Sequence, residues 1–418
     1  VSPSHSSTAT AAELPLDLLA PEFWARPTAR RAAEFDRMRA LAHPRFVFQR
    51  LARTRAESGY HALVTYADVA EVSRRPRDFS SDGATSIFGI TPDLAEYYSS
   101  MINMDNPEHA RMRRAVARAF GRGKVAELTA AVERTAARIA GRLAERGPGE
   151  FVRAVAAEMP IAVLGGMMGI PEEDHDFLFE RSNAIVGPLD TAAHPFTDPS
   201  TAMLEASREL GDYIARLRAD RAGDPRDDMI TRLTQAEVEG NRLTRRELAS
   251  FFILLIVAGM ETTRNVISHF LVLLTRHPDQ RELLLSDFDR YAPGAVEEVL
   301  RFVTPVNWMR RVVTHDCEVN GHPFREGDRL FLFYWPANRD EAVFTDPHRF
   351  DITRDPNPHL SFGATGPHFC LGAHLARVEV IALYRELLRT MPGIRAASPP
   401  RRLTASFIEG VTALDCTF

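Results

Sequence analysis

A long apolar run is missing from this sequence. The longest, Phe251 to Ala258, is followed within a turn by Glu261 and Arg264 and falls far short of a membrane span. It is expected to be a buried helix and not a membrane anchor. Charge of one sign is also lacking: 51 Lys and Arg stand against 56 Asp and Glu, a net charge of -5, without the basic excess of a nucleic-acid binder. Cysteine is scarce. Cys317, Cys370 and Cys416 are too far apart for a CxxC zinc or redox pair, and an odd number cannot pair off within the chain. Residues 1–12 hold neither a basic segment nor an apolar one, so they are expected to form a disordered tail and not a signal peptide, and the protein is expected to be cytoplasmic.

What is present is an ordinary globular composition with mainly helical patterning. Alternation near Phe46 to Leu51 and Ala62 to Thr65 predicts short strands, and helical periodicity dominates from about Pro107 to Phe302. Gly147-Pro148-Gly149, Gly187-Pro188, Gly223-Asp224-Pro225 and Gly240-Asn241 mark helix ends. From Arg310 short strand-like runs, broken at Asn320-Gly321 and Glu326-Gly327-Asp328, predict a small sheet. Residues 341–369 read as a long loop, which inside a compact protein is usually functional. The loop delivers the chain to Cys370, after which a strong amphipathic helix runs to Pro392-Gly393. Composition does not shift as at a linker, so residues 13–418 are taken as one mainly α domain with a minor β part.

Cys370 stands at a helix start, where unpaired N–H groups and the positive dipole end favour thiolate, the form a metal ligand needs. Gly363, Gly366 and Gly372 around it let the backbone approach a flat macrocycle and point N–H donors at sulfur. Taken alone, a single cysteine is most often an inert buried thiol. Its surroundings, Phe362-Gly363-Ala364-Thr365-Gly366-Pro367-His368-Phe369-Cys370-Leu371-Gly372 followed by Leu375-Ala376-Arg377, resemble the haem-binding signature of the cytochrome P450 superfamily. The Phe-Gly pair stands one residue further from the cysteine than is usual, a form resembling actinobacterial members that act on sterol side chains and branched lipids.

That resemblance implies a haem-thiolate monooxygenase fold, a single triangular-prism domain holding haem b without covalent attachment, with Cys370 as the axial ligand. Ala258-Gly259-Met260-Glu261-Thr262-Thr263 matches the family's oxygen-activation motif: Thr262 would hydrogen-bond the dioxygen being reduced, Glu261 would relay protons, and Ala258 would border the distal haem face. By itself the segment reads as a core helix bent by a threonine, since Thr262 shares a face with Ala258 four residues before it. A haem sensor would have no need of the Glu261-Thr262 pair, and peroxide-using members usually lose it.

Other residues take their roles from the same resemblance. His109, Arg113, Arg311 and His368 match contacts to the haem propionates, for which cationic donors are suited. Phe362 and Gly372 belong to the haem-binding loop. Glu298 and Arg301, three apart on a helix, match the structural Glu-x-x-Arg pair, with Arg349 as its third member. Phe88, Leu254, Val257, Val306, Asn307, Trp308, Phe407 and Ile408 are candidate substrate-pocket residues. Asn307 and Glu409 are the polar handles among those segments, so a lipophilic small-molecule substrate of sterol, terpenoid or polyketide type is expected. A stripe of Arg111, Arg114, Arg118 and Arg122 most economically forms a solvated face. In the family that surface receives an acidic electron carrier, which makes Arg114 and Arg118 candidates for docking a ferredoxin served by a ferredoxin reductase. A monomer with no nucleic-acid partner is expected.

Overall fold

The computed structural model describes residues 17–41, 43–49, 59–87, 90–117, 120–186, 199–238 and 241–418. The expected N-terminal tail and Gly187-Pro188 lie outside them.

Helices fill the middle of the chain. The longest continuous run, Arg245 to Arg276, starts on a capping box in which the Thr244 hydroxyl accepts from the Glu247 N–H at 3.2 Å and Glu247 accepts from the Thr244 N–H at 2.8 Å. The run consists of an α-helix Arg245–Leu254, a π-helical turn Leu255–Met260 and an α-helix Glu261–Arg276. By length and composition it could cross a membrane, but 72% of its most apolar window is buried inside the protein. It packs against the helices Phe288–Val303 and Ala373–Thr390, and the latter also lies along Arg122–Arg146.

Five strands form the largest sheet, in the order Arg45–Phe48, Gly59–Leu63, Arg329–Phe333, Trp308–Val313, Phe79–Ser80. Arg329–Phe333 runs parallel to Gly59–Leu63 and antiparallel to Trp308–Val313. The expected strand from Ala62 to Thr65 therefore stops two residues early. Thr65 instead caps the helix Tyr66–Arg74, its hydroxyl accepting from the Asp68 N–H at 3.1 Å, because a threonine oxygen satisfies a helix N-terminus better than a strand end. Asn320 and Gly321 carry φ of 47° and 83° between Cys317–Val319 and His322–Phe324, the pair of positive values that a tight hairpin turn demands.

No helix or strand occurs between Ala337 and Ala373, so the expected loop before Cys370 is present in full. Large aromatic and aliphatic side chains bury the sheet on the segment 18–38, while the helical core surrounds Glu261–Arg276.

Candidate functional site

Cys370 is placed by its own loop. Its N–H donates to the Phe362 carbonyl at 2.8 Å, and the Gly363 N–H donates to Leu360 at 2.9 Å. Gly363 adopts φ 78°, a conformation that disfavours a side chain. At Gly366 a Cβ would lie 2.3 Å from the Ser73 carbonyl oxygen, so the loop rests directly on the backbone of Tyr66–Arg74. The accessible surface of Cys370 opens on to a cavity of about 240 Å³ between this loop and the Arg245 to Arg276 run.

Burial pushes the Cys370 thiol up, against the pull of hydrogen bonds from the Gly372 and Ala373 backbone and of the Arg113 and Arg377 charges. The helix start therefore favours the thiolate, as the sequence implies, but does not hold it by itself, because desolvation works against it. A coordinated metal cation would reverse that balance, because such a cation deprotonates a ligating thiol outright.

The cavity rim collects His109, Arg113, Arg311 and His368 from three distant segments. The His109 and His368 rings lie 4.2 Å apart between centroids. His368 is driven down to about 2 by burial first and then by the charges of Arg311, His109 and Arg113, so it is a neutral hydrogen-bonding group. His109 is also lowered by burial, and its Nε2 is buried with no partner. Arg311 is buried, with Nη1 donating to the Arg310 carbonyl at 2.7 Å, while Arg113 donates to the Phe369 carbonyl at 2.7 Å. Among the described residues lining the cavity the one carboxyl, Glu379, belongs to the Cys370 helix. An orphaned histidine nitrogen and two guanidinium groups around an apolar cavity, with a sulfur in its floor, fit a flat apolar macrocycle bearing carboxylates and a central metal.

Opposite Cys370, Thr262 and Ala258 line the wall. The Thr262 hydroxyl donates to the Ala258 carbonyl at 2.7 Å, bridging the π-helical turn, and a π-turn of this kind widens a helix locally. Gly259 is held against Leu164: a Cβ there would meet the Leu164 Cδ1 at 2.9 Å. Glu261 does not join the wall. It is buried on another side of the helix and accepts from Arg264 at 2.6 Å, while Arg264 also donates to Asn183 at 2.9 Å.

Of the proposed pocket residues, Leu254 and Val306 line the cavity and Val257, Asn307, Trp308, Phe407 and Ile408 do not. Phe88 lies outside the described residues. Asn307 is fully buried, donating to the Ser406 carbonyl at 3.1 Å, and Trp308 packs on Phe331 and Phe407 within the sheet's core. Val306 and Ile408 form a β-bridge. Glu409 is no substrate handle either. It is bonded to Arg31 at 3.1 Å and to Arg402, and these charges with His269 outweigh its burial and take its carboxyl down to about 2. Met101, Ile102, Phe120, Leu164 and Leu255 supply the missing wall. Apolar residues carry the same sequence signal whether they face a cavity or a core.

Glu298 and Arg301 form a fully buried two-point pair, at 2.7 and 2.8 Å. Arg301 also donates to the Asn338 and Pro347 carbonyls, which pins the loop before Cys370 to the helix. The third member is Arg354 and not Arg349: Arg354 Nε donates to Glu298 at 3.3 Å. Arg349 offers Arg301 only its carbonyl, at 3.1 Å, and its side chain is exposed. Asn357, which donates to Glu298 at 3.0 Å, was likewise not singled out by sequence.

The arginine stripe is divided. Arg111 pairs with Glu247 at the start of the long helix, whereas Arg114 stands on the exposed face of Glu108–Ala117. Arg118 and the Arg122 side chain lie outside the described residues.

A helical fold with a minor sheet, closing over a cysteine at a helix start and a rim of His and Arg, defines the class of haem-thiolate proteins. Comparison with known proteins agrees. The family model for cytochrome P450 matches residues 202–391. A methyl-branched lipid omega-hydroxylase of Mycobacterium tuberculosis is 43% identical, over 94% of this chain and 90% of its own length. A steroid C26-monooxygenase of Mycobacterium bovis is 36% identical, over 85% of this chain and 81% of its own. A solved Mycobacterium marinum cytochrome P450 in complex with pseudoionone superposes with a TM-score of 0.92 at 36% identity, covering 99% of this chain and 100% of that one. The chain belongs to the cytochrome P450 family: it is a monooxygenase and binds haem b.

Proposed function

We propose that this monooxygenase hydroxylates a terminal carbon of a branched, lipophilic chain, with electrons from NAD(P)H carried by a ferredoxin reductase and a ferredoxin. The observation that carries the substrate class is the cavity wall beyond Thr262, where Met101, Ile102, Phe120, Leu164 and Leu254 offer no charge to a ligand. Two relatives, named for the omega position of methyl-branched lipids and for C26 of steroids, support the same class.

One atom of dioxygen enters the C–H bond, and the other leaves as water with two electrons and two protons. The bound haem supplies the centre at which dioxygen is reduced and cleaved. Cys370 would hold its iron and donate electron density to it, which would favour that cleavage. His109, Arg113, Arg311 and His368 would hold the propionates. Thr262 would turn its hydroxyl from the Ala258 carbonyl into the cavity and present a proton there, with Glu261 resupplying it. In this reading the chain works as a cytoplasmic monomer.

The test is a titration of the haem-loaded protein with methyl-branched fatty alcohols and 3-keto steroids, followed by turnover with a surrogate ferredoxin system. A low-spin to high-spin change and a terminal alcohol are expected. Hydroxylation confined to ring or mid-chain positions would overturn the terminal assignment, and product formed with peroxide but not with the ferredoxin system would overturn the electron route.

A further inference from the structure

Glu297 and Arg377 belong to the motifs that hold Glu298 and Cys370, yet neither has a part in the chemistry above. They meet under the cysteine loop. Arg377 donates to Glu297 through Nε at 2.5 Å and Nη2 at 2.8 Å, a two-point grip that fixes the guanidinium plane. A third group steadies the carboxylate. The Ser361 N–H donates to His359 Nδ1 at 3.2 Å, so that ring carries its proton on Nε2 and donates it to Glu297 at 3.0 Å. Burial pushes the Glu297 carboxyl up, but the hydrogen bonds from Arg377 and His359 and the Arg377 charge outweigh it and take it down to about 2.

Held this way, the guanidinium lies 4.4 Å from the centroid of the Phe362 ring, and its Nη1 donates to Ala373, the first residue of the helix after the cysteine. Phe362 is the residue whose carbonyl receives the Cys370 N–H. Arg377 is also one of two arginines whose charge acts on the sulfur, the other being Arg113 on the opposite segment.

We propose that Arg377 is a positioning residue for the axial thiolate, acting through Phe362: Glu297 clamps its guanidinium over the ring whose own carbonyl holds the Cys370 N–H. Planarity is essential to this role. A lysine at 377 keeps the charge but cannot grip Glu297 at two points, and its strongly hydrated ammonium withdraws towards water. A positive charge held near the thiolate favours the reduced, more negative iron centre, so losing its position lowers the reduction potential.

The experiment compares Arg377→Gln, Arg377→Lys and Arg385→Gln with the native full-length protein, all haem-loaded, by spectroelectrochemical titration. Arg385 lies on the same helix in an exposed ion pair with Asp289 and serves as the control. Arg377→Gln is expected to make reduction about tenfold less favourable, about 59 mV for one electron. Arg377→Lys is expected to reach at least about half of that shift, with Arg385→Gln unchanged. Where only the lysine variant retains haem, its shift from native decides. A lysine variant with native potential would reduce Arg377 to a point charge and overturn the proposal, as would equal shifts in all three variants. Because Cys370 as the iron ligand belongs to the functional reading above, the reduced carbon monoxide complex of the native protein is recorded alongside. An unshifted Soret band there defeats the ligand assignment, whereas a shifted band with unmoved potentials defeats only the role of Arg377.

Discussion

Glu261 and Arg264 are bonded at 2.6 Å inside the long helix, and the carboxylate points away from the wall that its neighbour Thr262 occupies. Burial pushes Glu261 up and Arg264 pulls it back. To resupply a proton at Thr262, the carboxyl must leave this partner. Glu261→Gln keeps the size and removes the acid, so turnover is expected to fall roughly a hundredfold, the lower end of what a positioned proton donor contributes. The spin-state titration of substrate should be unchanged. Native turnover in the variant would assign the pair to the frame alone.

The Thr262 hydroxyl spans the π-turn to Ala258. Thr262→Ala removes the hydroxyl that bridges to Ala258 on that wall, and a hydrogen bond to a charged group is worth about 1.5–3 kcal/mol, so product per NAD(P)H should fall at least roughly tenfold. NAD(P)H would still be consumed, with its electrons recovered as peroxide. A peroxide assay against product formation decides, and unchanged coupling would remove the role.

Arg301→Met strands the buried Glu298 carboxylate and should cost about 3–5 kcal/mol in denaturant unfolding of the haem-loaded protein. Arg354→Ala, losing one bond to that carboxylate, should cost about 1.5–3 kcal/mol. Arg349→Ala should leave the midpoint in place, since its side chain is exposed. Equal losses at 349 and 354 would restore Arg349 to the triad.

Glu379 lines the cavity from the Cys370 helix, with Oε2 buried and unpartnered, and burial alone raises its carboxyl to about 8. Its folded pKa therefore lies above its ordinary 4.5. Between those values the folded protein binds a proton that the unfolded chain has released, so stability falls as pH rises through this window, by an amount on the order of a few kcal/mol. Glu379→Gln lacks that dependence. Its melting temperature relative to native should rise between pH 5 and pH 8.5, and a constant difference would show that Glu379 does not titrate there.

Arg114 stands on the same helix as Arg113, which is bonded to the residue preceding Cys370. Arg114→Glu should slow reduction by an acidic ferredoxin about tenfold at low ionic strength, with the gap closing as salt is added, because exposed charges are screened over about 10 Å at 0.1 M. Stopped-flow reduction rates measure both. A rate equal to native at low salt would remove this face from the docking surface.

Features built from neighbours in the chain were legible before any fold was known. The loop before Cys370 and the stop after its helix follow from glycine, proline and periodicity, and Thr262 faces Ala258 because four residues make one helical turn. Arg349 and Arg354 were not separable in this way. They stand five apart in a loop without periodicity, and which one reaches Glu298 depends on how that loop lies across a helix some fifty residues earlier in the chain.

The sequence by itself determined the family, the cysteine and the helix carrying Thr262, because each rests on bonds and turns spanning a few residues. Tertiary structure alone decided which apolar residues face the cavity, that Glu409 is spent on Arg31, and that burial outweighs the helix start at Cys370. Desolvation and long-range pairing depend on segments hundreds of residues apart being packed together, and no local pattern encodes that distance.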